Sequence, residues 1–172
     1  LSNKRQTGWA KSVVESVLYL LWDLKFKLGH SSRTISDCVQ LGLDDLTIRT
    51  SMLEKRYLCG SRDLFEELET TLKKKVFSKK ASKFVEGKLS ERAERHLKHA
   101  NARYMLEPNI KEGKGGLRDL HTLYWISKYI YRTDNIQSLI EKKIFKKSEL
   151  EIFTEAENFL WFIRCKIHQI SG

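Results

Sequence analysis

The chain has 172 residues, of which 41% are hydrophobic, and it carries a formal net charge of +10. This length can bury one substantial core, and the hydrophobic content excludes an intrinsically disordered chain. A single Pro and nine Gly leave few breaks, so the composition favours long helices over a multi-stranded sheet.

The cysteines and the hydropathy pattern exclude further classes of protein. Cys38, Cys59 and Cys165 are odd in number and widely spaced, which argues against a disulfide framework or a zinc ligand set and predicts a reducing compartment. No apolar run approaches the ~20 residues needed to cross a bilayer. We therefore expect a soluble, cytoplasmic protein with no membrane partner. Because the first residue is Leu1 rather than Met, we also expect parts of the working molecule to lie outside this sequence.

The amino-terminal segment predicts a helix followed by a strand. Apolar residues recur at three- and four-residue steps from Trp9 to Leu21, as on the buried face of a helix. From Leu20 to Leu28 the pattern becomes an alternation of apolar and polar residues that includes Asp23. Such alternation predicts a half-buried strand, the only one in the chain.

Caps and glycines predict the next helices. Thr34 or Ser36 can cap a short helix that Gly42 would stop, and Gly60 would end the helix after it. Ser61 can cap the next one. We predict further helices over the charged segment from Ser78 to Arg103 and over Leu117 to Tyr131, and two more after that.

The positive charge is concentrated in one stretch. Between Lys73 and Lys114 there are thirteen Lys or Arg against five Glu, which predicts an anionic partner. The run from Lys73 to Lys83 lacks interleaved exposed aromatics and any nucleic-acid reading motif, so nucleic acid is a poor candidate, and a solvated helix junction or a dock for an acidic protein fits better. We interpret His96 and His99 as part of a solvated helix face rather than as metal ligands.

The most informative segment is the glycine-rich stretch from Glu107 to His121. Three glycines within four residues precede a predicted helix start, an arrangement that can present N–H groups and a helix dipole to phosphate. Lys111, Lys114 and Arg118 add positive charge there. A glycine turn that simply joins two helices is the structural alternative, in which Asp119 only caps or neutralises the helix start.

This segment, EPNIKEGKGGLRDLHTLYWI, resembles the motif of the bacterial PII uridylyltransferase and uridylyl-removing family, and more distantly an element of the glutamine synthetase adenylyltransferases. The resemblance extends to LYLLWDLKFKLGHSSRTISDC and LTIRTSMLEKRYLCGSRDLFEEL, and so covers most of the chain. Where family members often carry Pro in the glycine turn, this chain has Lys114.

The resemblance implies a polymerase-β-like nucleotidyltransferase that holds Mg²⁺ with carboxylates. The Asp-x-Asp element that would supply two of them is absent from this sequence, so the resemblance places it upstream of Leu1 and implies that this segment is inactive alone. By its place in the predicted strand, Asp23 resembles the third carboxylate, a catalytic residue and metal ligand; a solvated residue on an edge strand is the alternative. His30 and Arg33 can reach a nucleotide's phosphates or base, or be ordinary surface residues.

We therefore predict an all-α helical bundle with one short strand contributed to the nucleotidyltransferase core. Residues 1–33 would complete that core, and residues 34–172 would form the helical domain behind it. The implied reaction is the Mg²⁺-dependent transfer of UMP from UTP to a tyrosine of the PII signal protein. Lys111, Lys114, Arg118 and the amides of Gly115 and Gly116 would neutralise the triphosphate. The alternatives are a related nucleotidyltransferase with another acceptor, and a non-catalytic basic module that binds an acidic protein or RNA.

Overall fold

The structure, a computed structural model, describes residues 7–99, 109–133 and 137–171. The helices among these residues are α1 (Gly8–Asp23), α2 (Ile35–Asp44), α3 (Leu46–Leu53), α4 (Arg62–Lys75), α5 (Ala81–Lys98), α6 (Leu117–Tyr131), α7 (Gln137–Glu141) and α8 (Lys147–Ser171). The described residues form no regular strand. The predicted all-α class is therefore confirmed.

The predicted strand from Leu20 to Leu28 is wrong. Helix α1 continues through Asp23 and ends in a Schellman motif, in which the Lys25 amide bonds the Trp22 carbonyl and the Phe26 amide bonds the Leu21 carbonyl. Lys25 takes the left-handed conformation with φ of 64°. Leu, Trp and Lys are compatible with either structure, and this stretch meets no neighbouring strand among the described residues. The helix begun at Thr7 therefore continues until the left-handed residue ends it.

The chain divides into two compact units, residues Leu1–Lys79 and Lys80–Gly172. The predicted domain boundary after Arg33 falls inside the first unit, and it stays a prediction. In this unit Thr34 caps α2 in a capping box with Asp37, as one of the two predicted caps, and Ser61 caps α4 as predicted. Helix α2 runs through Gly42 to Asp44 instead of stopping there.

The core of the first unit explains why Gly42 lies within a helix. A Cβ at Gly42 would lie 3.2 Å from the Met52 sulfur and 3.4 Å from a Val76 methyl, so the missing side chain lets α2 pack closely against its neighbours. Leu72 and Val76 are fully buried beside them. The Arg49 guanidinium then binds the carbonyls of Gly42 and Leu43 near the end of α2, in the manner of a basic C-terminal cap.

The core of the second unit forms between α5, α6 and the segment that contains α7. Phe84 is fully buried and stacks on Tyr129 with ring centroids 4.1 Å apart. Leu117 and Leu139 are each 1% exposed. Of the two tyrosines near the end of α6, Tyr129 is buried, whereas Tyr131 is exposed. Among the described residues, no helix is both long and apolar enough to span a bilayer.

Candidate functional site

The glycine-rich segment forms a tight loop from Asn109 to the start of α6. Its first two predicted residues, Glu107 and Pro108, lie outside the described residues. The Asn109 side chain accepts hydrogen bonds from the amides of Lys111 and Glu112, and the Asn109 carbonyl accepts one from Gly113. The amides of Leu117 and Arg118 donate to the carbonyls of Ile110 and Lys111. The loop therefore satisfies much of its own backbone as well as the first turn of α6.

Each glycine of this loop meets a different steric demand. A Cβ would lie 2.7 Å from the Asn109 carbonyl oxygen if built at Gly113, and 2.6 Å from the Ile110 carbonyl oxygen if built at Gly116. Gly115 has space around it but a φ of 76°, a conformation that L-residues adopt only at a cost. The three glycines are thus required by the fold of the loop itself.

The loop is fixed to α5 through Asp119, on the first turn of α6. The Asp119 carboxylate accepts from the Gly115 amide at 2.9 Å and from the Arg95 guanidinium at 2.6 Å. The His96 Nε2 lies 2.8 Å from one carboxylate oxygen and 2.9 Å from the other, and the Arg92 Nε lies 3.5 Å away. Asp119 thus joins the glycine turn to α5, and we call this set of contacts the Asp119 anchor. The side chain therefore does more than cap or neutralise the start of α6.

Electrostatics at Asp119 favour its charged form. Burial by itself raises the pKa of the Asp119 carboxyl, but the hydrogen bonds from the Gly115 amide, Arg95 and His96 outweigh burial and lower the pKa below its ordinary value. The side chain is 12% exposed, so these bonds form in a partly dry environment where they count for more.

This anchor corrects the interpretation of the α5 helix face. His96 is not on a solvated face, because its side chain is 14% exposed and contacts Asp119. Arg92, Arg95 and His96 are spaced at three and four residues, so they share one side of α5. The sequence signal for this contact was the presence of these basic residues at helical spacing together with the acidic residues Glu112 and Asp119 in the segment after α5. Only the packing of α5 against α6 decides that the two sets meet.

The predicted phosphate-binding groups make contacts of their own within the chain. Lys111 and Arg118 both pair with the Glu112 carboxylate, at 3.6 Å and 3.4 Å, while Lys114 is exposed. The Gly115 amide donates to Asp119, and the Gly116 amide donates to the Gly113 carbonyl at 3.0 Å. The structure therefore brings together Lys111 and Arg118 with Glu112, and it uses both glycine amides to hold the loop.

The other predicted site residues belong to the first unit. Asp23 is the last residue of α1 and is exposed. His30 is exposed, with its ring edge-on to Trp22 at 6.3 Å, and Arg33 directly precedes the cap of α2. The predicted strand, which would have oriented Asp23, does not form in this described region. The structure therefore gives no support to the orientation expected for the Asp23 side chain. Its catalytic role stays a prediction.

Comparison with known proteins identifies the family. Residues 83–172 match the family model described as GlnD PII-uridylyltransferase. The chain belongs to the PII-uridylyltransferase family. The match covers nearly all of α5, the glycine-rich loop and the helices after it, so the Asp119 anchor lies inside the part that the family model defines.

Two relatives extend the likeness of this PII-uridylyltransferase family member over nearly the whole chain. It is 52% identical over 166 residues to the bifunctional uridylyltransferase/uridylyl-removing enzyme of Ruegeria pomeroyi, which covers 96% of the chain and 18% of that protein. It is 50% identical over 166 residues to the protein of the same description from Cereibacter sphaeroides, with the same coverage. No solved structure matches the chain significantly. The chain thus spans about a fifth of the length of these relatives.

Proposed function

We propose that the chain is a segment of a cytoplasmic nucleotidyltransferase that transfers UMP from UTP to a tyrosine of the PII signal protein. The observation that carries this proposal is the family match over residues 83–172, which contains the predicted cationic loop. Both relatives are bifunctional uridylyltransferase/uridylyl-removing enzymes. We therefore propose that the whole protein also removes the uridylyl group from the modified PII protein by hydrolysis.

The chain would contribute positive charge to the binding of the UTP phosphates. Lys111, Lys114 and Arg118 lie in the loop and on the first turn of α6, and none of the three is buried. Cations in these positions would offset the negative charge of the triphosphate and the charge that develops on the pyrophosphate leaving group. Because the amides of Gly115 and Gly116 donate inside the loop, we assign them the role of shaping it. Their contact with phosphate stays a prediction.

The proposed reaction uses Mg²⁺, and the described residues do not by themselves make its site. No group of three or more His, Cys, Asp or Glu side chains in the described ranges could hold a metal ion. Asp23 is exposed at the end of α1 and would supply one carboxylate at most. We therefore derive no step through the metal, and the role of Asp23 rests on the family resemblance alone.

The phosphate role can be tested in the full-length protein with a double variant. Lys111→Ala with Arg118→Ala should weaken UTP binding at least about tenfold, since each change removes a charge-assisted contact. Lys83→Ala with Lys147→Ala removes the same charge from exposed positions of the second unit and should leave UTP affinity unchanged. Isothermal titration with UTP and the rate of UMP transfer would measure both effects.

Equal UTP affinity in the two double variants would refute the phosphate role. Binding of RNA in a salt-dependent manner, with no affinity for UTP, would favour the alternative of a basic non-catalytic module.

The metal role has a separate test. Asp23→Asn should abolish Mg²⁺-supported transfer while leaving the fold intact, because Asp23 is exposed. Asp44→Asn, at the end of α2 and also exposed, is the matched control. Full activity of the Asp23 variant would exclude this residue as a metal ligand.

A further inference from the structure

The Glu112 carboxylate is surrounded by three cationic side chains. Its Oε1 lies 3.4 Å from an Arg118 Nη2 and 3.6 Å from the Lys111 Nζ. Its Oε2 lies 3.8 Å from the Arg95 Nε. The Glu112 side chain is 26% exposed, so it reaches solvent at the edge of this group. The backbone amide of Glu112 is held by Asn109, which leaves the carboxylate as the part of this residue that can move.

Arg95 is imperfectly satisfied by this arrangement. Its Nη2 binds Asp119 at 2.6 Å, but its Nε is buried and has no hydrogen-bond partner among the described residues. The 3.8 Å separation from Glu112 is close enough for charge attraction and too long for a hydrogen bond. Buried donors without partners are rare in folded proteins. An acceptor that approaches more closely than Glu112 would therefore be stabilised here.

The local charge balance also favours an added anion. Arg92, Arg95, Lys111 and Arg118 place four positive charges within 4 Å of the Glu112 and Asp119 carboxylates, which carry two negative charges. The difference is two positive charges. Asp119 is already committed to Gly115, Arg95 and His96. Glu112 is the carboxylate that an incoming anion can replace.

We propose that Glu112 is the internal counterion of an anion site, and that phosphate oxygens displace its carboxylate from Arg95, Lys111 and Arg118. The identity of the ligand as a nucleotide polyphosphate rests on the proposed function, whereas the displacement rests on the contacts above. A polyphosphate presents more oxygens and more charge than one carboxylate, so it can meet the Arg95 Nε and both surface cations at once. This adds Arg95 to the binding groups and makes Glu112 a competitor of the ligand.

The displacement predicts that removing the Glu112 charge strengthens anion binding. In the full-length protein, Glu112→Gln should bind inorganic tripolyphosphate about three to ten times more tightly than the unchanged protein. Glu86→Gln, an exposed position of α5 away from these contacts, changes the net charge equally and serves as the control. Isothermal titration at fixed ionic strength would measure all three affinities. Glu112→Ala should shift the affinity in the same direction.

Equal affinity of the two Gln variants, or weaker binding by the Glu112 variants, would overturn the proposal. The outcome of this test is distinguishable from the outcome of the Lys111 and Arg118 test. Tighter tripolyphosphate binding without any effect of those alanines on UTP would keep the anion site and remove its nucleotide ligand. The opposite pair of results would keep the proposed function and remove Glu112 as the displaced counterion.

Discussion

Replacing Asp119 with Asn should destabilise the second unit more than any change at an exposed carboxylate. The substitution removes the charge that accepts from Arg95 at 2.6 Å and contacts His96 at 2.8 Å. It also turns an NH₂ group toward one of these donors. The Gly115 amide can keep one oxygen as its acceptor. The Arg95 guanidinium would lose its carboxylate partner, and its Nε already has no hydrogen-bond partner within the described ranges.

The expected cost is about 2–4 kcal/mol. Hydrogen bonds to charged groups contribute about 1.5–3 kcal/mol, and breaking a buried ion pair costs about 3–5 kcal/mol. Asp119 is 12% exposed, which places it between these two cases. Since about 1.4 kcal/mol corresponds to a factor of ten, the loss equals a rise of roughly 30- to 1000-fold in the opening of α5 and α6.

Acid should reduce the same contribution. The folded pKa of Asp119 lies below its ordinary value, so the stabilisation is complete at pH values above the unfolded pKa of about 4. It is lost as the pH falls through the lower folded pKa, because the native carboxylate must then be protonated. The unchanged protein should therefore lose stability on acidification below about pH 4, and Asp119→Asn should lack this component.

Hydrogen exchange read by mass spectrometry is the suitable assay, since it reports α5 and α6 separately from the first unit. Tryptophan fluorescence would mix the units, because Trp9 and Trp22 lie in one and Trp125 and Trp161 in the other. Glu86→Gln supplies the matched loss of one exposed charge. Protection of α5 and α6 in Asp119→Asn within about 0.5 kcal/mol of this control would refute the anchor.

Local geometry predicts the effects of three further changes. Lys25→Gly should raise the free energy of unfolding by about 0.5–1 kcal/mol, because Lys25 is held at a φ of 64° and glycine relieves that cost. Chemical denaturation would measure this gain, and an equal gain from Lys27→Gly would contradict the explanation. Gly116→Ala should lower the free energy of unfolding by about 1–3 kcal/mol, since its Cβ would lie 2.6 Å from the Ile110 carbonyl oxygen, whereas Gly8→Ala meets nothing within 4 Å and should be near neutral. Burial raises the pKa of the Cys38 thiol, so iodoacetamide should modify the exposed Cys59 and Cys165 before Cys38. Peptide mapping that found Cys38 modified as fast as Cys59 and Cys165 would contradict this prediction.

Local sequence patterns identified much of the helical framework. The helix from Leu117 to Tyr131 was predicted with both of its ends, because its apolar periodicity is strong and a glycine precedes it. The prediction of Ser61 as a cap is confirmed, because its side chain accepts from the Leu64 amide. Such a cap can be predicted from sequence because it joins residues only three positions apart. The strand over Leu20 to Leu28 failed because five alternating apolar residues fit a strand equally well, and nothing within the segment reveals whether a partner strand exists.

The sequence by itself determined the all-α class, the family resemblance and the cationic glycine-rich loop, since each depends on residue types at fixed spacings. The tertiary structure alone decided which charges neutralise which. Asp119 meets Arg95 and His96 across 24 and 23 positions of the chain, and Glu112 meets Arg95 by the same approach of α5 to the loop. Such pairings depend on how two helices pack, and side-chain patterns within either helix do not specify that packing.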